Sequence, residues 1–265
     1  MKTSSTPRIT APQSATEITH QATFISVVAD ASGSMQGLHQ TVIDGLNGFI
    51  AEQAKNDNGH DNGHDNDRKA HAKVTIVQFP STKKEDGIQT ILAKTNVKTA
   101  RPITGDDYVI TGMTPLYDAL GAVITKCDER IAKRAAKGKN PESQVVVVFT
   151  DGGENASRKY TRETIFDLIA ERKAQGWVFV FLGANQDAFE EGGQVGFEVG
   201  NTRNFEASEV GMTDALMYTA RSVRLFSALP TDARLVASEA IFDLDETPQK
   251  TSAETTSTET TSNDV

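Results

Sequence analysis

The sequence predicts an α/β fold in which a doubly wound, mainly parallel sheet carries helices on both faces. Four short apolar runs, rich in β-branched residues, lead to this prediction, and they span residues 22–29, 72–79, 144–150 and 177–183. Nearly continuous hydrophobicity is typical of strands buried on both faces, as in a parallel sheet covered by helices. Stretches with helical periodicity lie between the runs, and this alternation favours the α/β class. We therefore expect the four runs to be the inner strands.

The helical stretches are marked by apolar residues that recur on one face. They cover residues 37–55 and 115–137, with a third helix around Ile165 and a fourth that ends near Leu229. Residues 88–101 are more polar and alternate in hydrophobicity, so we expect an edge strand or a hairpin arm there. Ligands of doubly wound sheets bind outside the carboxyl ends of the strands, and site residues are expected at those ends.

The composition excludes several classes of function. The 265 residues include 27 Lys and Arg against 36 Asp and Glu, a formal net charge of −9. This balance argues against nucleic acid or an anionic membrane as the main partner, because both attract clustered cations. Cys127 is the only cysteine, which excludes an intrachain disulfide and a metal site built from several cysteines. With no secretory signal and no run near the ~18 apolar residues of a membrane helix, we expect a cytoplasmic protein.

The domain organisation follows from where apolar periodicity stops. We expect one domain over residues 19–244. It lies between a disordered N-terminal segment, residues 1–18, and a disordered, acidic, Ser/Thr-rich tail, residues 245–265. Neither end has enough apolar side chains to offset the entropy lost on ordering.

Residues 56–71 interrupt the domain with an NGHD repeat, and we interpret them as an exposed low-complexity loop. The Asp, Asn and Gly content suggests an EF-hand, but Arg68 stands where the bidentate Glu of that loop is needed. A second metal site that uses His60 and His64 is the alternative interpretation of this loop.

Oxygen-bearing side chains follow the first apolar run. Asp30, Ser32 and Ser34 stand at i, i+2 and i+4, a spacing that places them on one side of an extended backbone. Gly33 is expected to supply a permissive backbone conformation in the turn. The alternative is helix capping, with Ser32 or Ser34 at the N-cap and Asp30 next to the positive end of the helix dipole.

Two further segments carry the same kind of side chain. Thr114 stands before the second helix in GMTPL (112–116), and Asp151 follows the third apolar run in FTDGG (149–153). Thr114 also has a capping alternative, because Pro115 suits the first helical position. Hydroxyl and carboxylate oxygens are hard ligands that suit Mg²⁺, Mn²⁺ or Ca²⁺ better than zinc.

Together the three segments resemble the metal-ion-dependent adhesion site (MIDAS) of the von Willebrand factor A (VWA) domain family. That site combines an Asp-x-Ser-x-Ser loop after the first strand, a distant Thr before a helix and a distant Asp after the fourth strand, in the order found here. The resemblance covers about residues 20–230 and points to an intracellular bacterial or phage-type member with a complete site. It implies a Rossmann-like fold and a metal ion held by five residues, which are Asp30, Ser32, Ser34, Thr114 and Asp151.

The resemblance also implies how the site works. Ser32, Ser34 and Thr114 ligate Mg²⁺ directly, Asp30 and Asp151 act largely through water, and Mn²⁺ or Ca²⁺ can take the place of Mg²⁺. Two carboxylates and three neutral hydroxyls balance the charge of one divalent ion, which keeps a position for another anion. A protein partner supplies that anion as an Asp or Glu side chain. The implied function is metal-dependent protein binding by an adaptor or interaction module.

An enzymatic function has weaker support. The segment FDLDET (242–247) resembles the nucleophile loop of haloacid-dehalogenase-type phosphatases, but that loop must follow the first strand of a large sheet, and only 18 residues follow Thr247. The sequence has neither a phosphate-binding glycine loop nor a nucleophile elbow, so we expect no enzymatic activity. The alternative function is a subunit of a larger ATPase or of a stress- or phage-related complex in which the metal is mainly structural.

We expect residues 249–265 and 57–69 to contribute little to stability. Deleting the first segment, or separately replacing the second by a short Gly/Ser linker, should leave the melting temperature and the Mg²⁺ affinity nearly unchanged, because loop closure costs only ~0.6 kcal/mol more per doubling of length. Differential scanning fluorimetry of both variants, with and without Ni²⁺ or Zn²⁺, measures this. A stabilisation by Ni²⁺ or Zn²⁺ that is lost only in the 57–69 variant would instead reveal a second metal site.

Overall fold

The computed structural model describes residues 21–55, 72–80, 87–184 and 188–245. The predicted N-terminal segment 1–18, the predicted loop 56–71 and the tail after Asp245 lie outside the described residues. At the end of the described residues, the Tyr218 hydroxyl donates a hydrogen bond to the carbonyl of Asp245 at 3.0 Å.

A six-stranded sheet forms the centre of the protein. Its strands are β1 (Thr23–Asp30), β2 (Lys73–Phe79), β3 (Gln89–Asn96), β4 (Ser143–Thr150), β5 (Val178–Ala184) and β6 (Thr202–Phe205). They lie in the order β3-β2-β1-β4-β5-β6, and every neighbouring pair is parallel except β2 and β3. The four apolar runs are therefore the inner strands, as predicted, and the predicted edge segment 88–101 contains β3.

Helices cover both faces of this sheet, which confirms the predicted doubly wound α/β fold. In the described residues they are α1 (His39–Ala54), α2 (Leu116–Ala135), α3 (Arg162–Ala174), α4 (Ala188–Gln194), α5 (Glu209–Ala228) and α6 (Thr231–Ala237). Leu46 of α1 and Leu216 of α5 are buried in the core on one face. Leu120 of α2 and Ile169 of α3 are buried in the core on the other. No helix in this part of the chain is long and apolar enough to cross a membrane.

Three short elements, β6, α4 and α6, were not predicted from the sequence. β6 has four residues with the sequence TRNF, and α4 has two glycines among its seven residues. Elements of four to seven residues are too short to show a clear periodicity of apolar residues. The helix predicted over 37–55 also differs at its start, because a 3₁₀ turn at Gly33–Leu38 precedes α1.

The parallel pairing of β1 with β4 determines which loops meet. Ala29 pairs with Phe149 near the carboxyl end of both strands. The residues that follow, Asp30 on one side and Thr150 and Asp151 on the other, therefore reach the same edge of the sheet, although some 120 residues of chain separate them.

The buried face of α1 provides a test of the packing. Leu46 is fully buried, whereas Leu235 on α6 is 71% exposed. We expect Leu46→Ala to lower the free energy of unfolding by about 2–5 kcal/mol, because the lost methyl groups leave a cavity in the core. The matched variant Leu235→Ala is expected to change it by no more than ~0.5 kcal/mol. Chemical denaturation measures both, and equal losses in the two variants would contradict this packing.

Candidate metal centre

Three loops meet at the carboxyl edge of the sheet. The loop after β1 is joined to the loop before α2 by two backbone hydrogen bonds, Thr111 N–H to the Ala31 carbonyl at 2.7 Å and Gly33 N–H to the Gly112 carbonyl at 3.1 Å. The loop after β4 is joined to the same segment by Asn155, whose side-chain oxygen accepts from Thr114 N–H at 2.8 Å. Two backbone hydrogen bonds and one hydrogen bond to a side chain thus join the three predicted site segments.

A chain of hydrogen bonds links side chains from two of these loops. The hydroxyl oxygens of Ser32 and Ser34 lie 3.1 Å apart, and the Ser34 hydroxyl donates to Asp151 Oδ1 at 2.6 Å. Asp151 is 117 positions away from Ser34 in the sequence. The structure therefore places these three predicted residues in direct contact at the strand ends.

Asp30 lies beneath these hydrogen-bonded side chains and is completely buried. Its Oδ1 accepts from the backbone N–H of Ser32 at 2.7 Å, and its Oδ2 accepts from the Thr150 hydroxyl at 2.5 Å. Burial raises the pKa of Asp30 to about 6, the hydrogen bonds from Thr150 and Ser32 lower it, and the charge of Asp151 raises it. The cost of burying this carboxylate without a counter-charge is the physical cause of the shift.

Thr114 completes the predicted set from the third loop, and it is 3% exposed. A Cβ added to Gly152 would lie 3.9 Å from Ser34 Oγ and 3.9 Å from Thr114 Oγ1. Both hydroxyls are therefore close to the same point beside Gly152. The absence of a side chain at Gly152 keeps that point open.

The capping alternatives for these hydroxyls are wrong. Ser32 precedes the 3₁₀ turn without making a side-chain cap. α2 begins at Leu116 with Pro115 as its flanking residue and again has no side-chain cap, so Thr114 does not cap it. α1 likewise begins after Leu38 with no side-chain cap, so Ser34 does not cap it. None of the three hydroxyls therefore caps a helix, and each keeps at least one lone pair for another ligand.

The donor set fits a small, hard divalent cation. Asp30, Ser32 and Thr114 form a buried floor, and Ser34 and Asp151 form a more exposed rim. Within the described residues, no group of three or more His, Cys, Asp and Glu side chains could hold a metal, so a metal centre here depends on hydroxyls as well as on carboxylates. Oxygen-only donor sets with an accessible rim suit Mg²⁺, Mn²⁺ or Ca²⁺. Metal binding by these five residues stays a prediction.

The left-handed backbone conformation expected at Gly33 is found at Gly112 instead. Gly33 has no positive φ, whereas Gly112, in the facing loop, has a φ of +70°. A Cβ on Gly112 would also lie 3.2 Å from Cγ of Pro80. A left-handed backbone and close packing both favour glycine at this position.

Sequence reasoning missed the residues that support the site. Thr150 and Asn155 hold Asp30 and Thr114, respectively, and the buried Tyr108 donates from its hydroxyl to the carbonyl of Asp30. Thr150 stands in the quoted segment 149–153, so its proximity to Asp151 was the available signal. Nothing in the spacing of Tyr108 or Asn155 identifies their role.

No protein-family model matches the chain, and no curated protein matches it in sequence. Several solved structures have a similar fold. Proximal thread matrix protein 1 from the mussel byssus matches with a TM-score of 0.50 and 19% identity over 78% of this chain and 49% of that one. The pilus adhesin SpaC from Lactobacillus rhamnosus GG matches with a TM-score of 0.55 and 12% identity over 77% of this chain and 30% of that one. These likenesses support a VWA-type fold.

Two further solved structures have TM-scores below 0.5. A structure of the same mussel protein with a zinc-occupied MIDAS motif has a TM-score of 0.49 and 20% identity over 78% of this chain and 48% of that one. The VWA domain of SpRpn10 has a TM-score of 0.45 and 12% identity over 75% of this chain and 95% of that one. The chain spans about half of the mussel protein and less than a third of SpaC.

The contact between Thr150 and Asp30 yields a test that does not require a partner protein. Thr150→Val keeps the shape of the side chain but removes the hydroxyl that donates to Asp30 Oδ2. We expect it to weaken Mg²⁺ binding by about 10-fold to 100-fold, since groups that orient a ligand have effects of this size. Thr150→Ser, which restores the hydroxyl, should recover most of the affinity. Calorimetric titration with Mg²⁺ measures all three proteins, and equal affinities for the Val and Ser variants would exclude this role.

Proposed function

We propose that the chain is a divalent-metal-dependent protein-binding module that captures an Asp or Glu carboxylate of a partner protein and catalyses no reaction. The observation that carries the proposal is the meeting of Ser34 and Asp151 above the buried Asp30 at the carboxyl edge of the sheet. This is where ligands of doubly wound sheets bind. Five side chains with only oxygen donors gather there from three loops.

The charges around the site support a cation as an essential component. A third carboxylate, that of Glu191, lies near Asp30 and Asp151, since its Oε1 would be 2.6 Å from a Cβ added to Gly153, two residues after Asp151. Without a cation, this acidic edge would repel a carboxylate of a partner. A divalent ion balances Asp30 and Asp151 and, when bound, supplies a positive centre that attracts an external carboxylate.

The hydrogen bonds support a division of labour among the five residues. Both carboxylate oxygens of Asp30 already accept hydrogen bonds, which suits a residue that contributes charge and orients water. Ser32, Ser34 and Thr114 offer hydroxyl oxygens that make no helix cap. We therefore assign these hydroxyls to direct ligation of Mg²⁺, with Mn²⁺ or Ca²⁺ as substitutes, and both aspartates mainly to contacts through water.

A mainly structural metal has less support. Hydrogen bonds from Thr111, Gly33 and Thr114 already join the three loops, so the fold of this edge does not depend on an ion. The rim is accessible, and the adjacent Met113 is 56% exposed. An exposed apolar side chain beside a charged centre is suited to a protein surface that carries a carboxylate.

The exposed rim provides the test of this function. Asp151→Ala removes one of two carboxylates, and we expect Mg²⁺ affinity to fall by at least about tenfold and capture of partner proteins from an extract of the native host to be lost. Asp44→Ala, on the exposed side of α1, removes the same charge away from the site and should change neither. Calorimetry with Mg²⁺ and affinity capture in Mg²⁺ or EDTA measure these effects.

Two outcomes would contradict the proposal. If the same proteins are captured in EDTA as in Mg²⁺, recognition uses another surface. If EDTA lowers the melting temperature but leaves capture unchanged, the ion has a structural role only.

A further inference from the structure

A cavity of about 390 Å³ lies at the amino ends of the strands. Its wall includes Ser143 and Gln144 at the start of β4, Trp177 just before β5, and Arg234 on α6. The candidate metal centre lies at the other end of the same strands. β4 has eight residues, and at ~3.3 Å per residue it separates the two places by roughly 25 Å. The cavity is therefore a different site.

The cavity is basic, although the chain as a whole is acidic. Arg134, Lys139 and Arg234 line it together with a single acidic residue, Glu142. Glu142 is already paired, since its carboxylate lies 2.9 Å from the guanidinium of Arg130 and 3.1 Å from that of Arg134. The lining thus has a surplus of positive charge.

Arg234 is an unusual member of this lining because it is buried without a counter-charge. It is 4% exposed and donates to neutral oxygens, including the Ser143 hydroxyl at 2.7 Å and the Leu229 carbonyl at 3.0 Å. Among the described residues no acidic side chain pairs with it, and burial lowers its pKa to about 10. A buried cation without an anionic partner is costly, and an anion in the cavity would reduce that cost.

Gln144 places a buried hydrogen-bond acceptor without a donor in the same wall. Its Nε2 donates to the Glu142 carbonyl at 3.0 Å, which leaves the side-chain oxygen on the other side of the amide. That Oε1 is buried and accepts no hydrogen bond from the described residues. A buried acceptor without a donor costs free energy, so a ligand with an N–H group is favoured here.

The wall also has an apolar part, beside polar residues such as Gln21 and Gln175. Trp177 is 4% exposed, and Ile131 and Leu235 are partly or largely exposed to solvent. A volume of this size falls in the usual range for pockets that bind small ligands. The cavity therefore combines a cationic part, one free acceptor and an apolar surface.

We propose that this cavity binds the free C-terminal end of a peptide with an apolar last residue. The terminal carboxylate lies against Lys139, Arg134 and Arg234, the last amide N–H donates to Gln144 Oε1, and the apolar side chain contacts Trp177 and Ile131. A free amino acid fits less well, because its ammonium group would lie among the cations of the lining. Capture of a C-terminal carboxylate is one of the recurring modes of peptide recognition.

The chain has a built-in reporter for this site, since Trp177 is its only tryptophan and lines the cavity. We expect N-acetyl-L-leucine, the smallest mimic of such an end, to change the fluorescence of Trp177 saturably. N-acetyl-L-leucinamide lacks the carboxylate, 4-methylpentanoate lacks the N–H donor, and free leucine carries an ammonium group. Each of these three should bind more weakly. Equal binding of the acid and the amide, or no saturable change with the acid, would overturn the proposal.

A pair of variants tests the same contact from the side of the protein. Lys139→Ala removes an exposed cation of the lining, and we expect it to weaken binding of N-acetyl-L-leucine by at least about threefold. Lys137→Ala removes another exposed lysine, which does not line the cavity, and should leave binding unchanged. Gln144→Leu should abolish the preference for N-acetyl-L-leucine over 4-methylpentanoate. Equal losses in the two lysine variants would assign the effect to general charge and overturn the proposal.

Discussion

The parallel pairing of β1 with β4 is the interaction on which the candidate site depends. It brings the ends of two strands to one level, so that residues far apart in the sequence become neighbours at one edge of the sheet. The hydrogen bond from Ser34 to Asp151 then joins the two loops through their side chains. Neither loop could form this arrangement alone, because each provides only part of the oxygen donors. The strands themselves are buried on both faces, and their stability comes from apolar packing rather than from the site.

The charge distribution along the strands is asymmetric. Carboxylates collect at the carboxyl ends, where Asp30 is buried and Asp151 lies on the rim, and cations collect at the amino ends around Arg234. Each end contains a buried charge that the described residues do not neutralise. Burial makes such charges costly, and that cost favours ligands of the opposite sign. The same physical argument therefore supports both proposals, a cation at one end of the sheet and a carboxylate at the other.

Hydrogen bonds within the protein hold the loops of the candidate metal centre in place without a ligand. Backbone bonds join the loops after β1 and before α2, and Asn155 joins the loop after β4 to Thr114. Thr150 and Tyr108 fix Asp30 from below, through its carboxylate and its carbonyl, respectively. Oxygen ligands that are already held in place lose little conformational entropy when a metal binds. A site of this kind can therefore bind its ligand without rearrangement of the fold.

The sequence by itself determined the α/β class, the four inner strands and the edge strand. Strands buried on both faces have nearly continuous apolar sequences, whereas a half-exposed edge strand alternates between apolar and polar residues. It also identified Asp30, Ser32, Ser34, Thr114 and Asp151 as candidates, because their oxygen-bearing side chains follow strands or precede a helix. The short elements β6 and α4 were not predictable, since a few residues cannot display a period. Only the tertiary structure decided that the serine and threonine hydroxyls are not helix caps, that Gly112 rather than Gly33 adopts the left-handed backbone, and that Thr150, Asn155 and Tyr108 support the site. The cavity around Arg234 was likewise not predicted from the sequence. These features arise from contacts between segments that are distant in the chain, and local sequence patterns do not predict such contacts.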